Sequence, residues 1–431
     1  VTSPQAMLLV IADDFTGAAD ATVPFARLGF STSVTTSLTA VDKLWDEAQV
    51  VGVDLGTRGV TPSLAYLATF SACEHAANAR AVIFKKVDSQ LRGNCAAELS
   101  GALEACPQAV AIVAPTLPAF RRVVRNGALE GPGIRSLSIQ EVFGVQGQGS
   151  VCHLSLSELR CGGVTSKLSS LGGATVVLAD AELGTDLTSL VEAAQAITRP
   201  TIWVGSAGLA NAIAASLSSS HTLHKHPSPS RAPTAEESRA LRTRSEACHR
   251  AAQEDASNCL SQQGDVSENR GILILVATRE PIGTRQVTAL AATTDAAVSQ
   301  ISIGQAAVSA WLKHELPTLR QRLANGGVVV LTLSPTDPDG SCEPEYAKFV
   351  VGAGLALRGT SQLLGLFATG GETARQLLDA LGVRSARVIT EIEPGMVELR
   401  TSPGGLRIVT KAGSFGTECS LIEAVNALRS T

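Results

Sequence analysis

Two short segments near the start of the chain combine residue types that can hold a small anionic, hydroxylated molecule. Val10–Asp20 reads VIADDFTGAAD, and Lys85–Asn94 reads KKVDSQLRGN. In each, an apolar run breaks off into charged residues and glycine, and a helical pattern follows. A buried parallel strand delivers polar groups in this way to the carboxyl edge of a sheet, where α/β proteins bind ligands. One carboxylate of Asp13 and Asp14 could accept hydrogen bonds from substrate hydroxyls, or take a proton as general base. Asp14 could equally cap the following helix, with Gly17 easing a close approach. In the second segment, Arg92 could grip a carboxylate through two parallel hydrogen bonds, and Lys86 adds a compact positive charge beside Asp88. The competing reading is a solvated charge cluster with Asn94 as a plain helix cap. Asp54 and Arg58, in DLGTR, repeat the pattern at another strand end. The bland alternative for Arg58 is a surface ion pair, which contributes little.

The second half of the chain carries glycine-rich turns suited to phosphate. Ala368–Thr373 reads ATGGET, after an apolar run and before a helical pattern. Gly370 and Gly371 would let the backbone approach a ligand closely, and the helix N-terminus favours phosphate. Plain capping by Glu372 and Thr373 is the alternative. Lys411–Gly416 reads KAGSFG, again after a strand pattern. Gly413 and Gly416 could form an anion-binding nest near Lys411, or a simple tight turn. Thr278 and Arg279 form a third polar strand end in this half. The chain has no GxxxxGK[ST] and no kinase-type glycine loop with its partner motifs, which excludes a standard P-loop or protein kinase. Ser206, in GSAGL, lacks the GxSxG elbow of hydrolases.

These residues need elements to position them, and the chain supplies a repeating pattern. Met7–Ala12, Ala48–Val53, Ala81–Phe84, Val110–Ala114, Ala174–Leu178 and Thr201–Val204 read as short buried strands. Helical patterns lie near Ala18–Leu28, Pro62–Ala79 and Ala96–Ala105. Alternation of this kind predicts a parallel sheet with right-handed crossovers. The second half resumes with strand patterns at Gly271–Val276, Gly327–Leu333, Leu363–Ala368, Ala386–Ile389 and Leu406–Val409. Its helical patterns lie near Thr284–Ala292, Ala306–Ala324, Glu345–Leu357, Glu372–Leu381 and Leu421–Leu428. Ser216–Thr234 is rich in Ser, His and Pro, which marks a linker that cannot bury a core. The fold class is therefore α/β, with two α/β domains of mainly parallel sheet. The expected boundaries are 1–220, a polar linker at 221–270, and 271–431.

Composition bounds the function. The chain has 431 residues, 45% hydrophobic and only 3% aromatic, so aliphatic side chains must fill the cores. A net charge of -4 argues against a nucleic-acid binder. The nine Cys lack CxxC spacing, which disfavours a disulfide framework or zinc site and points to a reducing cytoplasm. No apolar run reaches the ~18–20 residues that span a bilayer, and residues 1–6 lack the basic start of a signal peptide. His221, His224 and His226 sit in the linker and read as solvated polar residues rather than metal ligands.

Taken in order, the segments resemble the four-carbon acid sugar kinase family over nearly the whole chain. IADDFTGAAD, DLGTR, KKVDSQLRGN, VAPTLPAF and GSAGLA are similar to the family's substrate half. VATREPIGTRQV, ATGGET and KAGSFG are similar to its nucleotide half. The resemblance implies ATP-dependent phosphorylation, with Mg²⁺, of the terminal hydroxyl of threonate, erythronate or a 3-oxo-tetronate, in a cleft between the domains. It implies acid binding by Asp13, Arg58, Lys86, Asp88 and Arg92. It implies ATP binding by Thr278, Gly370, Gly371, Glu372, Thr373 and Gly413. Asp13 and Asp14 are the candidate bases. Homodimer formation is a family habit for which the residues show no interface. The chain departs from the family pattern at Gln90, at Ala119–Asn126 (AFRRVVRN), at Ala277–Thr278 and across Gly131–Gly173. Arg121, Arg122 and Arg125 either add positive charge near the substrate or face solvent. A kinase of the same fold acting on a different acidic polyol is thus an alternative, as is a non-catalytic nucleotide- or metabolite-binding protein. A dinucleotide oxidoreductase is disfavoured because VGVDLGTRG lacks the GxGxxG turn.

Overall fold

The structure, a computed structural model, describes residues 8–144, 150–171, 174–195, 197–219, 270–278, 280–301, 310–311, 313–333, 350–356, 363–402 and 405–430. They fall into two compact units, Val1–Arg242 and Thr243–Thr431. The expected linker at 221–270 lies outside the described residues except for Arg270. Ser216–Ser219, read as the start of that linker, instead completes a helix. The apolar, alanine-rich run before them carries the helix past the point where the composition turns polar.

The first unit is built on β1 (Leu8–Ala12), β2 (Thr32–Thr35), β3 (Val50–Asp54), β4 (Val82–Lys86) and β5 (Val110–Ala114). It continues through β6 (Val123–Arg125), β7 (Ala128–Gly131), β8 (Ile134–Ser138), β9 (Ser150–Leu154), β10 (Ala174–Ala179) and β11 (Thr201–Gly205). The main strands lie in the order β2-β3-β1-β4-β11-β5-β10-β9, all parallel. Strand β1 has β3 on one side and β4 on the other, so the chain leaves it in both directions. Ligands of open α/β sheets bind at such a point, outside the carboxyl ends of the strands.

Both faces of this sheet are covered. Helices α1 (Phe15–Arg27), α4 (Gly184–Ala194) and α5 (Ala207–Ser219) bury Phe25, Leu187, Leu190, Leu209 and Ile213 with Leu8, Val10, Phe84 and Ile112. On the opposite face, α2 (Pro62–Asn78) and α3 (Cys95–Ala105) bury Ala72, Cys73, Leu99 and Ala102 with Leu9, Ile11, Val51 and Ile83. Double burial explains why the strands read as unbroken apolar runs rather than alternating ones. The antiparallel sheet β6-β7-β8 lies outside the sequence expectation. Its strands are short and mostly half-exposed, so their pattern carries little periodic signal.

The second unit holds β12 (Ile272–Val276), β13 (Ala297–Ile301), β14 (Val328–Leu333), β15 (Gly365–Thr369), β16 (Ser385–Glu393), β17 (Met396–Ser402) and β18 (Arg407–Lys411). The order β13-β14-β12-β15-β18 is parallel, and β17 and β16 extend it antiparallel. Helices α6 (Pro281–Thr293), α7 (Leu316–Ala324), α8 (Gly371–Ala380) and α9 (Ser420–Arg429) accompany the sheet. Val287 and Leu290 of α6 and Leu421, Val425 and Leu428 of α9 pack on Ile272, Ile274, Val330 and Phe367.

The α2–α3 crossing is tight because Gly101 has no side chain. A Cβ there would lie 2.4 Å from the Tyr66 carbonyl oxygen and 3.2 Å from the Phe70 amide nitrogen, both backbone atoms that cannot rotate away. Gly101→Ala should therefore destabilise the first unit by about 1–3 kcal/mol through overpacking. Urea unfolding checks this: the midpoint should fall with an unchanged slope. An unmoved midpoint would show that the helices do not approach this closely.

Candidate active site

In the first unit, the ends of β1, β3 and β4 bring together Asp13, Asp14, Arg58, Lys86, Asp88 and Arg92. The Arg58 guanidinium is the centre. Its Nε and Nη2 donate to the two oxygens of Asp13 at 2.8 and 3.1 Å, and its Nη1 donates to Asp14 Oδ2 at 2.6 Å. Asp88 Oδ1 lies 3.4 Å from Nη2. The surface-pair reading of Arg58 is thus incorrect: its side chain is only 29% exposed, and that of Asp13 only 2%. Burial alone would lower the Arg58 pKa, but the Asp14, Asp13 and Asp88 carboxylates outweigh it and raise it.

Of the two readings the sequence left open for Asp14, the structure shows the helix cap, and it adds a pairing with Arg58 that the sequence did not signal. Asp14 caps α1 by accepting the Gly17 amide at 2.6 Å and the Thr16 hydroxyl at 3.1 Å, and it pairs with Arg58. Gly17 is required here: a Cβ would fall 2.6 Å from Asp14 Oδ1 and 3.3 Å from Lys86 Nζ. Lys86 is therefore a buried ammonium beside the N-terminus of α1. It donates to the Val87 carbonyl at 3.0 Å.

Asp88 and Arg92 form a two-bonded pair, Nε–Oδ2 and Nη2–Oδ1, both 2.9 Å. Asp88 Oδ2 also accepts the Gln90 and Arg92 amides at 3.0 and 3.3 Å, which folds the loop around it. Burial would raise the Asp88 pKa, but the Arg92 hydrogen bonds and the Arg58, Arg92 and Lys86 charges hold it well below the usual carboxylate range. The loop needs positive φ at Leu91 (57°) and Gly93 (90°). At Gly93 it also passes close to Asp13 and Arg58.

Several residues have roles the sequence reading missed or left open. Asn94 precedes α3 but makes no side-chain cap; its Nδ2 donates to the Thr57 and Val60 carbonyls at 2.8 and 3.0 Å. Glu98 is buried with Lys85 and Thr57. Its signal was an acid between Ala97 and Leu99 on the apolar side of a helix that had to be buried. Arg122 does not face solvent: it is buried, donates to Ser89 Oγ and stacks over Phe120. Arg121 is exposed, and Arg125 pairs with Glu182 and Glu130. Ser206 donates to the Thr116 carbonyl at 2.9 Å, a structural bond.

In the second unit, the register aligns Val276 with Thr369 and Thr369 with Lys411, so three adjacent strands end together. Thr278 and Gly413 meet there: a Cβ on Gly413 would lie 2.6 Å from Thr278 Oγ1. Gly370 takes φ 95° and donates its amide to the Lys411 carbonyl at 2.7 Å, which joins ATGGET to KAGSFG. Helix α8 starts at Gly371 without a side-chain cap, and Ala374 is the residue whose amide closes onto Gly370 at 3.0 Å. The amides of Gly371, Glu372 and Thr373 remain as donors, and such an N-terminus favours phosphate. Glu372 accepts from Gln376 Nε2 at 2.6 Å along the same helix. Thr369 Oγ1, at the end of β15, is buried with no hydrogen-bond partner among the described residues. Arg279 lies outside the described residues. Bare backbone donors, a close-approach glycine and an orphaned hydroxyl fit a nucleotide phosphate chain.

Lys411 is fully buried, and its Nζ donates to the Ala412 and Phe415 carbonyls at 3.0 and 2.7 Å. It pins the KAGSFG turn rather than presenting its charge to a ligand.

Two family models cover most of the chain: a sugar-binding N-terminal domain over residues 8–213, and a nucleotide-binding C-terminal domain over 273–421. A D-threonate kinase of Cupriavidus necator is 29% identical, with 97% of each chain covered. A D-threonate kinase of Salmonella typhimurium is 26% identical over 97% of each chain. A 3-oxo-tetronate kinase of Methylobacterium radiotolerans is 25% identical over 94% of this chain and 95% of that one. Among solved structures, a Haemophilus influenzae protein of the DUF1537 family shares the fold, with a TM-score of 0.64, 17% identity, and 98% and 100% of the two chains covered.

Burial pushes the Lys411 ammonium down to about 8 from its ordinary 10.5, against the opposing pull of Glu393 and Glu280. Between those values the unfolded chain holds a proton that the folded chain has released, so stability rises with pH across that window. Below pH 8 both states hold it. The stability of the wild type relative to Lys411→Met should therefore grow from pH 8 to pH 10.5 in denaturant titrations. Parallel curves for the two proteins would refute the assignment.

Proposed function

Because the chain belongs to the four-carbon acid sugar kinase family, we propose that it transfers the γ-phosphate of ATP to the terminal hydroxyl of threonate, erythronate or a 3-oxo-tetronate. The observation that carries this reading is the Arg58 centre. Buried carboxylates and cations interleave there at a sheet edge, as recognition of a molecule with both hydroxyls and a carboxylate requires. The substrate carboxylate would take Lys86 and Arg92, whose charges suit it. Substrate hydroxyls would donate to the carboxylates.

Asp13 is the better base of the two acids. Asp14 already accepts from Gly17, Thr16 and Arg58, whereas among the described residues Asp13 accepts from Arg58 alone. A carboxylate has about four acceptor sites, so Asp13 keeps room for a hydroxyl proton. Phosphoryl transfer is mainly a matter of positioning and charge neutralisation. In the second unit, Gly370, Gly371, Glu372 and Thr373 would supply amides to the phosphates, with Thr278 and Gly413 forming a flush wall beside them. Mg²⁺ would neutralise phosphate oxygens. Among the described residues there is no group of three His, Cys, Asp or Glu placed to hold a metal ion.

We place the reaction in the cytoplasm. Cys73, Cys95, Cys106, Cys152, Cys161 and Cys419 are all free thiols, which suits a reducing compartment. No described helix is long and apolar enough to cross a membrane. A homodimer rests on family habit alone. A second reading, an acceptor longer or more acidic than a tetronate, is favoured by the buried guanidinium of Arg122 against Ser89 in the substrate motif.

A coupled ADP-release assay with ATP and Mg²⁺ against D- and L-threonate, D- and L-erythronate, 3-oxo-tetronates and larger aldonates decides the acceptor. A tetronate should be turned over best. Silence across the panel, with ATP still bound by calorimetry, would refute the acceptor class. Two variants separate the ligands. Arg58→Lys loses the fork that holds Asp13 in place for the substrate, worth about 1.5–3 kcal/mol for charged hydrogen bonds, and should raise KM for the acid about 10- to 100-fold with KM for ATP unchanged. Gly413→Ala should do the reverse. Equal effects of either variant on both KM values would contradict the division of labour.

A further inference from the structure

Behind the acid site lie three buried polar groups that the proposed chemistry does not use. Lys85, Glu98 and Thr57 are 1%, 2% and 2% exposed. Lys85 Nζ sits 3.0 Å from Glu98 Oε2, donates to the Lys86 carbonyl at 3.0 Å and reaches the Ile11 carbonyl at 3.5 Å. One ammonium therefore ties the end of β1 to the end of β4, just before Asp13 and Asp88. The other oxygen of Glu98 accepts the Thr57 hydroxyl. Asn94, one helical turn before Glu98, holds the Thr57 and Val60 carbonyls at 2.8 and 3.0 Å. Two side chains from the start of α3 thus grip both sides of the residue that precedes Arg58.

We infer that Thr57, Asn94 and Glu98 are positioning residues for the acid substrate, acting by fixing the loop that aims the Arg58 guanidinium. The inference rests on the proposed role of Arg58 in that site. A buried ion pair is a weak device for stability, since well-packed apolar groups of the same volume often serve as well. Its value here is directional. The Arg58 loop has no regular secondary structure between Leu55 and Val60, and a guanidinium meets a carboxylate edge-on only over a narrow range of angles. The Glu98 carboxylate, itself held by Lys85, gives that loop a fixed point one residue from the fork. None of the three residues needs to touch the substrate to do this.

The test is steady-state kinetics of the full chain with D-threonate as acceptor. Thr57→Val keeps the shape and loses the hydroxyl; it should raise KM for the acid about tenfold, the usual scale for a lost hydrogen bond to a charged group. KM for ATP should not move, and Thr57→Ser, which restores the hydroxyl, should behave as wild type. In an Arg58→Lys background, Thr57→Val should add less than about twofold, because no fork remains to be aimed. A Thr57→Val effect that is as large without Arg58, or that falls equally on ATP, would overturn the inference. Should Thr57→Val not fold, Asn94→Ser removes the second grip and carries the same expectations. The two readings fail separately. An Arg58→Lys enzyme with unchanged acid KM sinks the acid-site reading, whereas an acid KM that responds to Arg58 and not to Thr57 or Asn94 sinks this inference alone.

Discussion

The first unit's polar edge depends on one constraint: three carboxylates cannot be brought together at the end of a buried sheet unless cations come with them. Asp13, Asp14 and Asp88 converge on Arg58, and Arg92 covers Asp88 from the other side. Each acid left alone at that depth would be protonated or expelled, since burying an uncompensated charge costs several kcal/mol. The self-neutralised cluster is what allows polar chemistry at the ends of strands that are otherwise wholly apolar. On the proposed reading it would also shape binding. An acidic, hydroxylated ligand would not enter a bare positive pocket; it would exchange places within an existing lattice of pairs. Such a site would favour a ligand that brings both an anion and hydroxyls over a simple anion.

The backbone is shaped by the same requirement. At two points the charged groups crowd the chain so closely that only glycine fits without strain or clash. Gly17 admits Asp14 and Lys86 to the first turn of α1, and Gly93, at φ 90°, lets the loop pass Asp13 and Arg58. The parallel register then sets which strand ends are neighbours. Ala12 pairs with Asp54 and with Lys86, so residues far apart in sequence arrive at one edge together.

How far the sequence spoke depended on the physical signal each feature leaves. Buried parallel strands leave unbroken apolar runs, so Val110–Ala114 could be read to the residue, and β1 and β12 to within one. The polar strand ends were legible because charge is abrupt after such runs, which is why Asp13, Lys86 and Asp88 were singled out. What stayed hidden was pairing. Nothing local distinguishes Arg58 as a buried fork from Arg58 on a surface, or Asn94 as a cap from Asn94 as a brace. Those differences lie in contacts across 34 to 45 positions of sequence. The β6–β8 sheet and the β16–β17 hairpin were missed in part for a different reason. The strands of β6–β8 have only 3, 4 and 5 residues, too few to show the alternation of a half-buried antiparallel strand, and register shifts between Val388 and Thr390 and between Glu391 and Glu393 break it in β16.

The second unit solves its electrostatic problem in the opposite manner. Its one deeply buried cation, Lys411, among the described residues of the KAGSFG turn, donates inward to Ala412 and Phe415 and so shapes the turn. A lysine used this way is not a phosphate clamp, and the donors left at the strand ends are backbone amides at the start of α8. Amides need no counter-charge when empty, so this edge needs no lattice of acids to support it. They do need the chain to come close, which accounts for Gly370 at φ 95° and for Gly413 lying flush on Thr278. On the proposed reading, the lysine that a P-loop would offer to phosphate is here spent on building the turn, and recognition would fall to backbone geometry, which leaves only scattered glycines in the sequence.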